Sequence, residues 1–235
     1  AASSDYPLRD VYKRQIQEHT PAMRARHPDW SEADIGTNAT SGSTGRPVRV
    51  EKLNAVYQPL YQALSMVDHH WHGRDAAKPA GAFRPGAEDA DGGNWGPPMA
   101  WFGPVGPAFR RDVARHSIEE LYAAFERYRP AYVTGSPEVV FALARVAREK
   151  PGPVPPVEQF LTYSAHLPEE VRQLAREVFG ARVVDRYSSD ECGWIAAQCP
   201  KHRHYHVMAA TSLVEIVVDA GRPCATGQAG RVLVT

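Results

Sequence analysis

The sequence predicts an α/β fold: a mixed, mainly parallel sheet with flanking helices, followed by a small antiparallel β subdomain at the C-terminal end. Three observations carry this. From Ser117 to Asp185 the apolar period switches repeatedly between about two and 3.6 residues. Helix start and stop residues sit at each switch. Beyond Gly193 the chain turns to short alternating runs joined by a Gly-bearing turn.

The regular part begins with Ser117-Ile118-Glu119-Glu120, which reads as a capping box. Leu121, Ala124, Phe125 and Tyr128 form the apolar face of the helix it opens, and Arg129-Pro130 ends it. Ala131 to Thr134 reads as a strand. Ser136-Pro137 then supplies an N-cap and a Pro at the first helical position. Val139, Val140, Leu143, Ala144 and Ala147 face inward from this helix. Gln159 to Tyr163 is a second strand. Pro168 starts a third helix, with Val171, Leu174, Ala175, Val178 and Phe179 inward and Gly180 at its end. Arg182 to Asp185 is a third strand. The order β-α-β-α-β argues a parallel sheet, whose ligands bind beyond the carboxyl ends of the strands. The loops leaving those ends are Tyr163 to Leu167 and Asp185 to Glu191.

The flanks are less regular. Pro28 to Asp34 is polar and turn-like, and Pro47 to Glu51 alternates as a strand. Asn54 to Gly73 carries an apolar stripe at Val56, Leu60, Leu64, Val67 and Trp71, with Asn54 as cap, Gly73 past the end and Pro59 as a kink. His69, His70 and His72 near its C-terminus suit the helix dipole better than a metal, because residues one or two apart do not share a helical face. Ala76 to Pro107 reads as a long loop region with a short strand near Met99 to Phe102. Ser212 to Val218 and Gly230 to Val234 read as paired strands.

Composition narrows the function classes. The chain has 235 residues, 43% of them hydrophobic, enough for a large core. Its 27 acidic and 27 basic side chains give zero net charge, and no basic block points to a nucleic acid. No apolar run approaches the roughly 20 residues of a membrane span, and no secretory segment opens the chain, so a cytoplasmic location is expected. Three Cys, an odd number, argue against a disulfide framework.

Two clusters carry chemistry. Thr40-Ser41-Gly42-Ser43-Thr44-Gly45-Arg46-Pro47 combines flexible Gly, hydroxyl donors and a cation, which suits a phosphate cradle; a Ser- and Gly-rich surface linker has the same composition. It is not a Walker A loop. Tyr187 to Glu191 offers an aromatic platform, hydroxyls and two acids, of which one can hold Mg²⁺ beside substrate phosphates. A core Tyr and a solvated acidic pair account for the same residues.

The Thr40 to Pro47 run resembles the phosphate-binding loop of adenylate-forming enzymes, the acyl- and aryl-CoA ligase superfamily, and within it the phenylacetate–CoA ligase-like branch that includes CapK-type proteins. The likeness runs from about Ile35 to Thr235. Tyr187 to Glu191 resembles the family's Y-G-x-[ST]-E motif, with Ser188 for the usual Gly and Asp190 for the usual Ser or Thr. The Tyr163 to Leu167 loop lies where the family has its adenine loop, and Tyr132 to Pro137 is similar to the turn after a strand in phenylacetate–CoA ligases. The resemblance implies the large N-terminal region of such an enzyme: residues 1–190 as the nucleotide- and acyl-binding region and 191–235 as the start of the β subdomain. It implies phosphate contacts from Thr40, Ser41, Gly42, Ser43, Thr44 and Gly45. Adenine contacts would come from Ser164, Ala165 and Tyr187, with Glu191 as the catalytic Mg²⁺ ligand. ATP, Mg²⁺ and CoA are the expected cofactors, and a small carboxylic acid the expected substrate.

The family continues past such a strand to a ribose-binding Asp and a lid with a catalytic Lys, which this sequence does not contain. Residues 1–15 show no pattern and read as non-native or truncated. The expectation is therefore a piece of an ATP-dependent carboxylate–CoA ligase that is inactive by itself. The alternative from another class is a non-catalytic nucleotide-binding module. A Ser/His hydrolase ranks last, because no G-x-S-x-G elbow is present.

A second candidate centre is zinc. Cys199, His204, His206 and Cys224 are ligand types, and His204 and His206 share a face if the segment is a strand. Cys192 and His202 are substitutes. Buried thiols beside surface histidines explain the same residues, since no C-x₂-C spacing occurs.

Overall fold

The computed structural model describes residues 17–19, 29–39, 48–101, 103–218 and 221–235. They fall into two compact units, 1–61 with 190–193 and 62–189 with 194–235.

In the first unit, β1 (Ile35–Ala39) and β2 (Arg49–Leu53) form an antiparallel pair. Gly36 is required there, because a Cβ would stand 2.5 Å from the Asn54 side-chain oxygen. The strand after the hydroxyl-rich run thus starts at Arg49 rather than Pro47. A 3-10 turn, Glu32–Asp34, precedes β1, held by reciprocal bonds between Ser31 and Asp34. The helix α1 (Asn54–Trp71), of which residues 54–61 fall in this unit and the rest in the second, includes Asn54 and carries Pro59 inside it. Lys52 lies 3.9 Å over the Tyr57 ring.

The second unit is organised by an eight-stranded sheet in the order β10-β9-β8-β7-β6-β3-β5-β4. Its strands are β3 (Ala80–Arg84), β4 (Ala90–Asn94), β5 (Pro107–Asp112), β6 (Tyr132–Thr134), β7 (Gln159–Thr162), β8 (Arg182–Ser189), β9 (Gly193–Gln198) and β10 (Tyr205–Val207). β5, β3, β6, β7 and β8 run parallel to one another, as the β-α-β pattern requires, and β4 pairs antiparallel with β5. The crossover helices are α2 (Ile118–Tyr128), α3 (Pro137–Glu149) and α4 (Glu169–Phe179). Their ends follow local chemistry. Ser117 and Glu120 close the capping box, Ser136 caps α3 with Pro137 behind it, and Gly180 ends α4 at φ 69°.

These helices bury one face of the sheet. Phe83, Phe125, Val133, Leu143 and Phe160 are inaccessible to solvent, and Phe125 and Phe160 both meet the Phe179 ring at 5.3 Å. The remaining strands, β11 (Val214–Val217) and β12 (Arg231–Val234), form a separate antiparallel pair. β9 and β10 extend the main sheet, so less of the C-terminal region is a separate β structure than the sequence suggests.

Three expectations are corrected. The 76–107 segment is not a long loop, since it contains β3 and β4 and leads into β5. β3 is Ala-Gly-Ala-Phe-Arg, poor in strand formers; its Gly81 exists to admit the Phe109 ring, which a Cβ would meet at 2.5 Å. Met99–Trp101 is a 3-10 turn rather than a strand, closed by Ala100 N–H to Gly96 O and Trp101 N–H to Pro98 O. The apolar stripe of α1 does not face the core: Val56, Leu60, Val67 and Trp71 are all exposed, and Asp68 is the buried residue of that helix.

The reason for the reversal is a buried polar network at the end of α1. Asp68 Oδ2 accepts from Arg74 Nη1 at 2.5 Å, and Arg74 Nε donates to Gln159 Oε1 at 2.5 Å. His72 Nε2 lies 3.4 Å from Asp68 Oδ1 and 3.1 Å from the Gln198 carbonyl. Burial alone would raise the Asp68 carboxyl; the bonds from His72 and Arg74 and the Arg74 charge reverse this and hold it well below the usual carboxylate range. His69 is pushed down to about 4, first by burial and then by the Arg74 charge. It is therefore neutral at pH 7, and the expected charge–dipole role fails at that position. Strand alternation puts Phe160 in the helix-side core and Gln159 on the opposite face, where Arg74 reaches it.

Two predictions follow from this packing. Phe125→Ala should cost ~3–5 kcal/mol, read as a lower urea midpoint at unchanged m-value. Acidification should also destabilise the fold. An unfolded His takes up a proton near 6.5, whereas His69 refuses it until about 4, so stability falls as pH drops through that window. The loss reaches ~3 kcal/mol at 1.36 kcal/mol per pKa unit. Asp68, depressed in the fold, contributes above its unfolded pKa near 3.8 and loses that contribution as pH falls further. Urea titrations at pH 7 and 5 should show the first loss in the parent and a flatter response in His69→Gln.

Candidate functional site

The carboxyl ends of β3, β6, β7 and β8 lie along one edge of the sheet, and sequence order reverses between β3 and β6. That reversal is where an open α/β sheet leaves a crevice. Arg84, the last residue of β3, is exposed, and its guanidinium stands 5.4 Å from the Tyr163 ring beyond β7. Tyr163 Oη also reaches the Phe83 carbonyl at 3.5 Å. The 163–167 loop is thereby pinned across the edge to β3.

Ser164 in this loop has φ 71°, a left-handed conformation that costs a non-Gly residue about 1–2 kcal/mol. Such strain is held only where the surroundings over-determine it, and it clusters at ligand sites. Ser164 and His166 are exposed, Ala165 is half-buried, and Leu167 anchors the loop in the core.

β7 and β8 pair in register up to Thr162↔Asp185. Thr162 Oγ1 donates to Asp185 Oδ1 at 2.5 Å, and Tyr205 Oη donates to Asp185 Oδ2 at 2.6 Å. Burial, followed by this bond, pushes the Tyr205 phenol up, so it remains a donor. Asp185 is thus consumed in binding three strands together. β8 then runs on to Ser189, so Tyr187 and Ser188 lie on a strand rather than in the loop that the sequence suggests. Tyr187 is 47% exposed, and a large ring left open at a sheet edge is available for stacking. Asp190, Glu191 and Cys192 form the turn into β9, with the Glu191 side chain half-buried.

The expected phosphate residues Thr40, Ser41, Gly42, Ser43, Thr44 and Gly45 lie outside the described residues. Their flanks are described: Ala39↔Arg49 is the last pair of the β1–β2 ladder, so residues 40–48 are its connection.

The expected zinc ligands divide. Cys199, His204 and His206 offer ligand atoms all within 4.8 Å of one another. Cys224 is not with them. Its N–H is bonded to Ile216 O and its thiol lies 3.7 Å from Ala229 O, which holds it in the β11–β12 structure. The group of ligand atoms that lie together thus holds three of the four expected residues.

Sequence reasoning missed Arg84 and the Asp68–Arg74 network. Both depend on contacts between distant segments; an acid and an Arg six residues apart, straddling a helix end, were the local signal.

No protein-family profile and no curated protein matches the sequence. Among the described residues no helix is long and apolar enough to cross a membrane. Solved structures do match in fold. A 2-hydroxyisobutyryl-CoA ligase in an open conformation, in complex with 2-HIB-AMP and CoA, is similar over 95% of this chain and 53% of its own length, with a TM-score of 0.70 and 18% identity. The anthranilate CoA ligase AuaEII, in complex with anthranoyl-AMP, covers 90% of this chain and 41% of its own, with a TM-score of 0.61 and 16% identity. A benzoate CoA ligase from Burkholderia xenovorans LB400 covers 89% and 42%, with a TM-score of 0.60 and 15% identity. The chain spans about half the length of these enzymes or less, and over that span it has the α/β fold of acyl- and aryl-CoA ligases.

Proposed function

We propose that the chain supplies the nucleotide-binding part of an ATP-dependent carboxylate–CoA ligase of the phenylacetate–CoA ligase-like type. The observation that carries this is the pairing of β7 and β8 as adjacent parallel strands. One delivers the strained Ser164 loop and the other the exposed Tyr187 ring at the same edge. Solved ligases of this fold hold acyl-AMP, in one case with CoA.

In this reading the adenine ring stacks on Tyr187, and the Ser164–Ala165 backbone meets its edge. Thr40, Ser41, Gly42, Ser43, Thr44 and Gly45 receive the phosphates. Glu191, a half-buried hard oxygen donor, fits the one-carboxylate-plus-phosphates ligand set that Mg²⁺ takes. Bound there, the ion would offset charge building on the phosphates. The substrate carboxylate attacks the α-phosphorus, forming a P–O bond as pyrophosphate leaves. The CoA thiolate then attacks the acyl carbon and AMP departs. The residues contribute by placing the carboxylate and α-phosphorus in line and by meeting the developing charge. Aryl acids of the phenylacetate type are the first substrates to test.

Calorimetric titration of the chain with a non-hydrolysable acyl-adenylate tests this directly. Tyr187→Ala should weaken binding roughly tenfold or more, since stacking is worth about 1–3 kcal/mol. Glu191→Gln should remove the added affinity that Mg²⁺ gives ATP. Unchanged affinity in Tyr187→Ala would refute the adenine assignment. Ser164→Gly should raise the urea midpoint by releasing ~1 kcal/mol of backbone strain; a lower midpoint would show that the loop is not strained.

A further inference from the structure

Cys199, His204 and His206 belong to one hairpin. β9 and β10 pair antiparallel with Tyr205↔Gln198 and His206↔Ala197, and Cys199 N–H donates to His204 O at 2.8 Å. Cys199 is therefore directly opposite His204, and residues directly opposite project from the same face. His206, two residues on, projects from that face as well. Two ligand atoms on one tetrahedral zinc stand about 3.5 Å apart, given Zn–S near 2.3 Å and Zn–N near 2.0 Å. The three ligand atoms all lie within 4.8 Å of one another, a little wider than that.

The donor set is selective. One thiolate and two imidazoles, with no carboxylate in the group, favour zinc over magnesium or calcium. Cys199 is 8% exposed, while both histidines are exposed, so the sulfur forms a floor beneath an open mouth. His202 stacks on His204, with ring centroids 5.3 Å apart. The far side is packed, with His206 edge-on to Trp71 at 5.4 Å.

From this we infer that Cys199, His204 and His206 bind a zinc ion that staples the β9–β10 hairpin. The role is structural. Arg182, the first residue of β8, donates to Pro200 O at 3.2 Å, which puts the hairpin loop at the amino end of β8. Tyr187 is five residues further along that strand, or ~16 Å at ~3.3 Å per residue.

Elemental analysis of the untagged chain, purified from zinc-supplemented medium, should find roughly one zinc per chain. Less than about one-tenth, both as purified and after incubation with equimolar zinc and desalting, would overturn the inference, given how tightly structural zinc is held. Cys199→Ser should lose the metal. Because removing a buried thiol can disturb folding, the doubly substituted His204→Gln/His206→Gln chain provides the second arm. Both positions are exposed, so far-UV circular dichroism should match the parent while zinc falls below about one-tenth per chain. Retention of zinc by that variant would place the metal elsewhere and refute the site. Cobalt substitution should give a thiolate-to-metal charge-transfer band in the parent and none in Cys199→Ser; its absence in the parent would exclude the sulfur ligand.

Discussion

The ion pair between Asp68 and Arg74 is the constraint on which the sheet side of the second unit depends. Both side chains are nearly inaccessible, at 5% and 7% residue exposure. Removing either partner would leave a buried charge, which typically costs 3–5 kcal/mol. The pair is tied to the sheet by further bonds, although Arg74 Nη2 and His72 Nδ1 are buried without a partner. Arg74 also bonds Gln159 at the start of β7, and His72 bridges Asp68 and the Gln198 carbonyl at the end of β9. One short segment after a helix end therefore holds two strands that are not neighbours in the sheet. β8 lies between them and is fixed from both sides, with Gln198 Oε1 accepting from Asp185 N–H at 3.0 Å and from Arg172 at 2.9 Å.

This polar clamp explains why the carboxyl edge can carry strain. A left-handed Ser164 and an open Tyr187 ring each cost stability locally. They are tolerated because the strands beneath them are locked by bonds between specific atoms rather than by apolar contact alone. Apolar packing on the helix side, through Phe125, Phe160 and Phe179, supplies bulk stability but no register. The Thr162–Asp185–Tyr205 chain supplies it, because a slip of one residue would turn Asp185 to the other face. Asp185 is thereby removed from the list of acids available for chemistry, although its position at the edge invites that reading.

What the sequence reveals of this arrangement follows from how local each cause is. The helices α2, α3 and α4 are legible because caps, Pro at N1 and terminal Gly act within one turn of where they are written. β3 is illegible because its Gly81 answers to the Phe109 ring from another strand. The face of α1 is misread for the same reason. Its apolar stripe is a sound local signal, yet Asp68 faces inward because Arg74, Gln159 and Gln198 meet it there. At the site, Tyr187 is identified by type, but its element is not, since continuation of β8 through Ser188 and Ser189 depends on the sheet. His204 and His206 are legible from strand alternation, and Cys199 joins them through hairpin register. Cys224 was placed with them on the expectation that the Gly221 to Gly227 turn folds back, and the group of ligand atoms that lie together does not include it.

The same reasoning separates two kinds of work along β8. Its amino end is tied to the hairpin by Arg182 and Pro200, and that hairpin carries the three proposed zinc ligands. Its carboxyl end carries an aromatic ring, with two carboxylates on the turn beyond it. Hard donors suit a metal that comes with phosphates and leaves with product; a thiolate with imidazoles suits a metal that stays. The two ends of one strand are thus chemically suited to different ions. The ion proposed for the hairpin would add rigidity to β9 without competing for a metal that arrives with a nucleotide. The spacing along the strand is set by the rise of extended backbone, about 3.3 Å per residue, while the Asp68–Arg74–His72 contacts tie β7 and β9 on either side of β8.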